Sequence, residues 1–135
     1  MSAHFHALIW IDHQVAKVFH FDALTSENAH VRSSHPHQHL HHKANSGGSG
    51  HAPVDTEFLG RVATELARAG AILIVGPGTA KTELRTYLQK KHADVAAKIS
   101  AVETLDHPSD GELLAFGRKF FDADDRMHPP VAATG

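Results

Sequence analysis

The sequence predicts an α/β fold in which three helices pack on a mixed five-stranded sheet, in the order βββ-αβαβα. Two runs, Ala7–Ile11 and Ala71–Val75, are apolar at every position, which is typical of strands buried on both faces. Three other segments carry apolar residues at helical spacing, and each of these helices must bury its apolar stripe against a sheet. We therefore expect the two apolar strands to be interior neighbours, with helices on both faces of the sheet.

Three strands are predicted in the N-terminal third of the chain. After Ala7–Ile11, the segment Val15–Phe21 alternates between two faces. The third strand, Asn28–Ser34, is polar, and we expect it near an edge of the sheet. Residues 35–53 show no periodicity, and their glycine-, serine- and histidine-rich composition predicts a long loop.

Two helices and the central strand follow this loop. The first helix is predicted to begin at Asp55 or Thr56, and to end at Gly70 because glycine is common after a helix C-terminus. The second helix, Thr79–Lys91, follows Ala71–Val75 through a turn that contains glycine and proline, and Thr79 is predicted to cap it. Both helices carry apolar stripes that can cover the central strands.

The C-terminal third completes the predicted sheet. Lys98–Thr104 is predicted as the fifth strand, and Ser109 with Glu112 forms a capping box at the start of the last helix. The inward-facing residues of that helix extend to Phe121. We therefore predict a single domain over residues 1–121, with the long loop at 35–53, and a flexible tail over residues 122–135.

The composition indicates a soluble globular domain and excludes several classes of protein. The 135 residues are 41% hydrophobic with a formal net charge of −2, and no apolar run approaches the roughly 18–20 residues that a membrane helix needs. A basic leader followed by an apolar run is absent, so we expect a cytoplasmic protein. The absence of cysteine excludes disulfides and thiolate metal sites. The 14 histidines make the protein more basic just below neutral pH than its formal charge suggests.

The turn after the central strand carries a recognisable motif. It consists of Gly76, Pro77 and Gly78, then Lys81 after two further residues, and then Thr82, Glu83 and Leu84. A Gly-Pro-Gly turn followed by lysine, between a strand and a helix, resembles the middle domain of archaeal and eukaryotic peptide-chain-release factors. It also resembles the matching domain of Pelota, their relative in ribosome rescue.

The resemblance extends over residues 5–121, because the predicted order of elements is also that of the release-factor middle domain. It implies a ribonuclease H-like fold and a component of the translation machinery. The expected partner is the ribosome, through ribosomal RNA or tRNA, and no membrane is expected. The release-factor domains that flank this one are missing from the chain, which leaves open that a separate protein supplies them.

In that family, the loop between the third strand and the first helix carries Gly-Gly-Gln, whose glutamine helps water attack the peptidyl-tRNA ester. Here Gly47 and Gly48 are followed by Ser49, and a hydroxyl cannot present an amide. Pelota also lacks the tripeptide. The resemblance therefore favours a non-catalytic role in ribosome rescue, stalling or dormancy. A peptidyl-tRNA ester hydrolase with residual release activity is the alternative, so the enzyme question stays open.

The histidines of the loop are its most unusual feature. Four of them alternate along the chain, so an extended backbone would place them on one face. They could contact RNA by stacking and by protonation, bind zinc in a metal-binding regulatory protein, or be solvated without a specific role. We predict RNA contact, with no metal and no cofactor. The residues predicted to bind RNA or the ribosome are Arg32, His35, His37, His39, His41, His42, Lys43, Gly47, Gly48 and Ser49.

The sequence also bears on two enzyme hypotheses and on one further binding surface. A phosphate-binding loop would need glycines where Val75 and Ala80 stand. A ribonuclease H-type nuclease would need a third carboxylate at Gly76 or Pro77, beside Asp12 and one of two glutamates on the first helix. Those two glutamates are Glu57 and Glu65. We therefore predict no catalytic residue. A basic surface on the second helix is expected to assist RNA binding, and it comprises Lys81, Arg85, Lys90 and Lys91.

Overall fold

The computed structural model describes residues 5–33 and 55–127, without the side chains of 124–127, and shows a mixed five-stranded sheet with helices on both faces. The strands are β1 (His6–Ile11), β2 (Val15–Phe21), β3 (Ser26–Arg32), β4 (Ala71–Gly76) and β5 (Ile99–Thr104). The helices are α1 (Thr56–Leu66), α2 (Ala80–Lys91), α3 (Ala93–Ala96) and α4 (Asp110–Met127). The predicted fold class is confirmed.

The strands lie in the order β3-β2-β1-β4-β5. Strand β1 pairs antiparallel with β2 and parallel with β4, with Leu8 opposite Leu73 in the register. The two apolar strands are therefore interior neighbours, as predicted. Strand β3 lies at one edge, where its polar sequence led us to expect it.

Each face of the sheet carries its own hydrophobic core, because successive strand residues point to opposite sides. Ile9 and Ile74 face α1 and α2, where they pack with Val62 and Leu84. Leu8 and its neighbours on the other face pack under α4. Burying one such aliphatic side chain stabilises a fold by about 1.5–3 kcal/mol, so each of the two interior strands contributes strongly to the stability of the domain.

The start of β3 and the end of α1 both differ from the predicted positions, and side-chain hydrogen bonds are found at both places. Strand β3 begins at Ser26 because Asp22 Oδ1 accepts the backbone N–H groups of Leu24 and Thr25, at 2.9 and 2.7 Å, which closes a tight turn. Helix α1 ends at Leu66 instead of near Gly70. There the Lys98 ammonium donates to the carbonyls of Ala67 and Ala69, at 3.1 and 2.7 Å. These carbonyl groups just beyond the helix therefore have hydrogen-bond donors without a further helical turn.

Thr79 is at the N-cap position of α2, as predicted, but its side chain makes no capping hydrogen bond. Its hydroxyl donates instead to Glu83 Oε2 at 3.2 Å. The short helix α3 was not predicted, because four residues are too few to show helical periodicity. It is held to the core by Val95, which is buried.

Helix α4 begins at the predicted capping box. The Ser109 N–H donates to Glu112 Oε1 at 2.8 Å, and the Glu112 N–H donates to Ser109 Oγ at 3.2 Å. Residues 122–127, predicted as part of a flexible tail, are helical. The sequence contains no glycine or proline between Phe121 and Met127, so nothing stops the helix there. Residues 128–135 lie outside the described residues.

Gly76 is the position where the fold depends most directly on glycine. A Cβ atom built there would lie 2.3 Å from the carbonyl oxygen of Ile11, whereas one built at Gly78 would meet nothing within 4 Å. We expect Gly76→Ala to lower the free energy of unfolding by about 1–3 kcal/mol, because β1 and β4 would have to move apart. Gly78→Ala is the matched control and should change it by less than about 0.5 kcal/mol. Urea denaturation measures both, and equal stabilities would contradict the prediction.

Candidate functional site

Four chain segments meet at the carboxyl edge of the sheet. Strands β1 and β4 are parallel, and β3 runs in the same direction because both β1 and β3 are antiparallel to β2. Helix α1 returns the chain to β4 and therefore begins at the edge where β3 ends. In open α/β sheets, ligands bind outside the carboxyl ends of the strands. Segment 34–54 thus connects two points of the edge that is most suited to binding.

The two described residues that flank segment 34–54 are bonded to each other. Ser33 Oγ donates to Asp55 Oδ2 at 2.6 Å, across a separation of 22 residues. The other carboxylate oxygen of Asp55 accepts the Phe58 N–H at 3.0 Å, so the same side chain also caps α1. We call this pair the Ser33–Asp55 anchor. It holds Ser33 and Asp55, the residues on either side of the segment, together at the sheet edge.

Two further contacts hold the anchor to the sheet. The Ser33 N–H donates to the Gln14 carbonyl at 2.8 Å, which ties the end of β3 to the turn after β1. The Arg61 guanidinium donates to the Arg32 carbonyl at 2.7 Å, which ties β3 to α1. The base of segment 34–54 is therefore built from three elements of the fold.

Of the predicted RNA-binding residues, the structure places one. Arg32 is exposed at the end of β3, beside the Ser33–Asp55 anchor. The remaining predicted residues lie outside the described residues, and they are His35, His37, His39, His41, His42, Lys43, Gly47, Gly48 and Ser49.

The Gly-Pro-Gly-lysine motif forms the next part of the edge. Lys81 Nζ donates to the carbonyl of Gly78, so the motif lysine closes its own turn. Glu83 Oε1 lies 3.1 Å from His13 Nε2 and ties this turn to the turn after β1. There Asp12 Oδ1 accepts the N–H groups of Gln14 and Val15, at 2.8 and 2.9 Å. Lys81 therefore stabilises the turn of the motif, and Glu83 connects that turn to the one after β1.

Two of the three carboxylates considered for nuclease chemistry make structural bonds. Asp12 closes a turn, and Glu65 Oε2 lies 2.9 Å from both His20 Nε2 and Arg68 Nη1 on the α1 face. Within residues 5–33 and 55–127, no group of three or more histidines and carboxylates is placed to hold a metal ion. The described part of the chain also contains no helix that is both long and apolar enough to cross a bilayer.

The basic residues of α2 do not form one patch. Lys81 is in the first turn of the helix, near the carboxyl edge, whereas Lys90 and Lys91 are in its last turn. Ten residues of helix separate Lys81 from Lys91 by about 15 Å along the axis. Only Lys81 and Arg85 are thus near the candidate site, and Lys81 is bonded to Gly78.

A cluster around Trp10 was not singled out from the sequence. The Trp10 indole N–H donates to the Asp106 carbonyl at 2.7 Å, and the His107 ring lies 5.2 Å from the indole. Lys17 Nζ lies 5.6 Å from the Trp10 ring and 3.2 Å from Asp110 Oδ1. The alternation of side chains along β2 could have predicted part of this cluster, because it places Lys17 on the α4 face.

Comparison with known structures identifies the fold. No protein-family model matches the chain, and no curated protein matches it in sequence. Archaeoglobus fulgidus Pelota matches 84% of this chain with a TM-score of 0.59 and 15% identity. An archaeal translation termination factor matches 90% with a TM-score of 0.54 and 15% identity. The chain has the fold of the release-factor middle domain.

The resemblance inferred from the motif is therefore confirmed for the fold. Dom34 of S. cerevisiae, described as a translation termination-like factor involved in RNA quality control, matches 90% of the chain with a TM-score of 0.52 and 9% identity. The matched region spans 30% of the Pelota chain, 38% of the termination factor and 36% of Dom34. This chain thus corresponds to about a third of each of these proteins.

The Ser33–Asp55 anchor should contribute measurably to stability. Ser33→Ala removes one hydrogen bond and leaves the cap of α1, so we expect it to lower the free energy of unfolding by about 1 kcal/mol. Asp55→Ala removes the cap as well and should cost about 1–2 kcal/mol more, whereas Asp55→Asn keeps a good capping residue and should cost less than Asp55→Ala. Urea denaturation distinguishes the three variants. Wild-type stability in Asp55→Ala would show that the anchor is unimportant.

Proposed function

We propose that this protein is a non-catalytic, ribosome-associated component of the translation machinery that acts in ribosome rescue, stalling or dormancy. The observation that carries the proposal is the likeness of its fold to Pelota, to Dom34 and to an archaeal termination factor. A fold alone does not determine a function, so the site must also be compatible. Its support comes from the position of segment 34–54 between β3 and α1, which the resemblance assigns to the functional loop.

The proposed contact with RNA uses segment 34–54 and its base. The segment carries Lys43 as its only formally charged residue, and Arg32 lies just before it. Because the protein as a whole has a formal charge of −2, general attraction to a polyanion is weak at neutral pH. Binding must therefore depend on local charge. Protonated histidines supply such charge, and their rings can stack on bases.

The non-catalytic assignment follows from the residue after the two glycines. Ser49 stands where the resemblance places the glutamine that orients water. The carboxylates Asp12 and Glu65 are engaged in a turn and in an ion pair. Retained hydrolysis of the peptidyl-tRNA ester is the second candidate function, and the pair Gly47 and Gly48 favours it. Release of free peptide from ribosome-bound peptidyl-tRNA by the purified protein would decide for that candidate.

Location and partners follow from the same proposal. We propose that the protein works in the cytoplasm. The matched region is about a third of Pelota or Dom34, and the partner that we propose for it is the ribosome itself.

Ribosome binding should strengthen as the pH falls from about 7.5 to about 6, because a histidine side chain ordinarily titrates near pH 6.5. Co-sedimentation with purified ribosomes at both pH values measures this. Replacing four histidines of the segment by glutamine should remove the pH dependence and leave the thermal unfolding of the domain unchanged. These four are His37, His39, His41 and His42.

The same assay separates RNA contact from metal binding. Protons compete with a metal ion for imidazole, so a zinc site would give tighter binding at the higher pH, and a chelator would abolish it. That result would replace the proposed RNA contact with a metal site. Failure to co-sediment at either pH would contradict the proposed function itself.

A further inference from the structure

Strand β3 separates its charges between the two faces of the sheet. Successive side chains of a strand point to opposite sides, so the even-numbered residues share the α4 face and the odd-numbered residues share the α1 face. Its acid, Glu27, is on the α1 face together with Ala29 and Val31. Its two basic residues, His30 and Arg32, are on the α4 face. This face of the strand therefore carries no acidic residue of β3.

The register extends this basic row across the sheet. His30 lies directly opposite Lys17 of β2, and Lys17 lies directly opposite Trp10 of β1. Arg32 lies opposite Val15 in the adjacent row. Side chains opposite each other in antiparallel strands have Cβ atoms about 4.5–5.5 Å apart, so these groups form one surface. We define the β3 face as Lys17, Asn28, His30 and Arg32.

The β3 face is open, although the same side of the central strands is covered. Asn28, His30 and Arg32 are exposed, whereas Leu8 and Leu73 on this side are fully buried under α4. Lys17 Nζ lies 3.2 Å from Asp110 Oδ1 at the start of α4. The side chains of that pair are 30% and 49% exposed, and ion pairs at such exposed positions contribute little to stability. Lys17 can therefore exchange this carboxylate for another anion at little cost.

We infer that the β3 face binds the sugar–phosphate backbone of single-stranded RNA. Lys17 and Arg32 supply two permanent charges for phosphates, which is the contact that dominates affinity for nucleic acids. His30 lies opposite Lys17, and Asn28 is the next residue of β3 on the same face. Both side chains can donate hydrogen bonds to phosphate or sugar oxygens. Arg32 directly precedes the Ser33–Asp55 anchor, so the surface continues to the base of segment 34–54. The inference rests on the proposed contact with RNA and adds a second surface to it.

A charge-matched pair of variants tests the β3 face. Lys17→Gln/Arg32→Gln removes two positive charges from the face, and Lys90→Gln/Lys91→Gln removes two from the far end of α2. Binding of a short fluorescent oligouridine is measured over a series of salt concentrations. Each phosphate contact on a single strand contributes about 0.7 to the slope of log K against log salt. The first variant should therefore lower the slope by about 1.4 and the affinity at about 0.1 M salt by about tenfold or more. The control should match the wild type.

A single substitution tests whether a loss of binding comes from the lost charge or from unfolding. Arg32→Gln changes only an exposed side chain, and it should lower the slope by about 0.7 without changing the melting temperature. Wild-type binding by both β3-face variants, or an equal loss in the α2 control, would overturn the inference.

Co-sedimentation with ribosomes distinguishes failure of this inference from failure of the proposed function. A wild-type protein that sediments with ribosomes while the β3-face variants do so equally well contradicts only the inference. If the protein does not sediment with ribosomes but binds oligouridine through the β3 face, only the proposed function is contradicted.

Discussion

The pairing of β1 with β4 is the constraint on which the rest of the structure depends. Both strands are apolar on both faces, so each side of the sheet needs its own helical layer. The pairing is close at its carboxyl end, where Gly76 packs against the Ile11 carbonyl with no room for a Cβ atom. This contact sets the positions of the turns that follow the two strands. The packing of the core therefore determines where the turns of the candidate site lie.

The polar residues of that edge serve mainly to join its turns. His13 meets Glu83, Asp12 closes the turn after β1, and Asp55 caps α1 while it holds Ser33. A carboxylate that accepts two such bonds is poorly placed to ligate a metal or to move a proton. The described edge thus resembles a platform more than a catalytic centre. This arrangement supports the binding role that we propose, in which segment 34–54 and the β3 face contact RNA.

The sequence predicted the features that depend on local patterns, and it missed those that depend on distant contacts. Apolar runs predicted β1 and β4, and the spacing of Ser109 and Glu112 predicted the start of α4, because both signals lie within a few residues. Thr79 is at the N-cap of α2 as expected, but its hydroxyl donates to Glu83 in the first turn of the helix and makes no capping bond. Of the candidate site, Arg32 could be named from its charge. Its neighbours could not, because the Ser33–Asp55 bond spans 22 residues and the row from His30 to Lys17 requires the strand register.

The two proposed RNA surfaces differ in the kind of charge that they offer, and this difference has a consequence. The β3 face offers lysine and arginine, which ordinarily keep their charge across the physiological pH range, whereas segment 34–54 offers histidines, and a histidine side chain ordinarily gains charge as the pH falls through about 6.5. The β3 face would therefore set a binding affinity that depends on salt but little on pH, and the histidines would add to it under mildly acidic conditions. Because the formal net charge of the protein is −2, the proposed binding of a polyanion depends on these local charges and not on the charge of the whole protein.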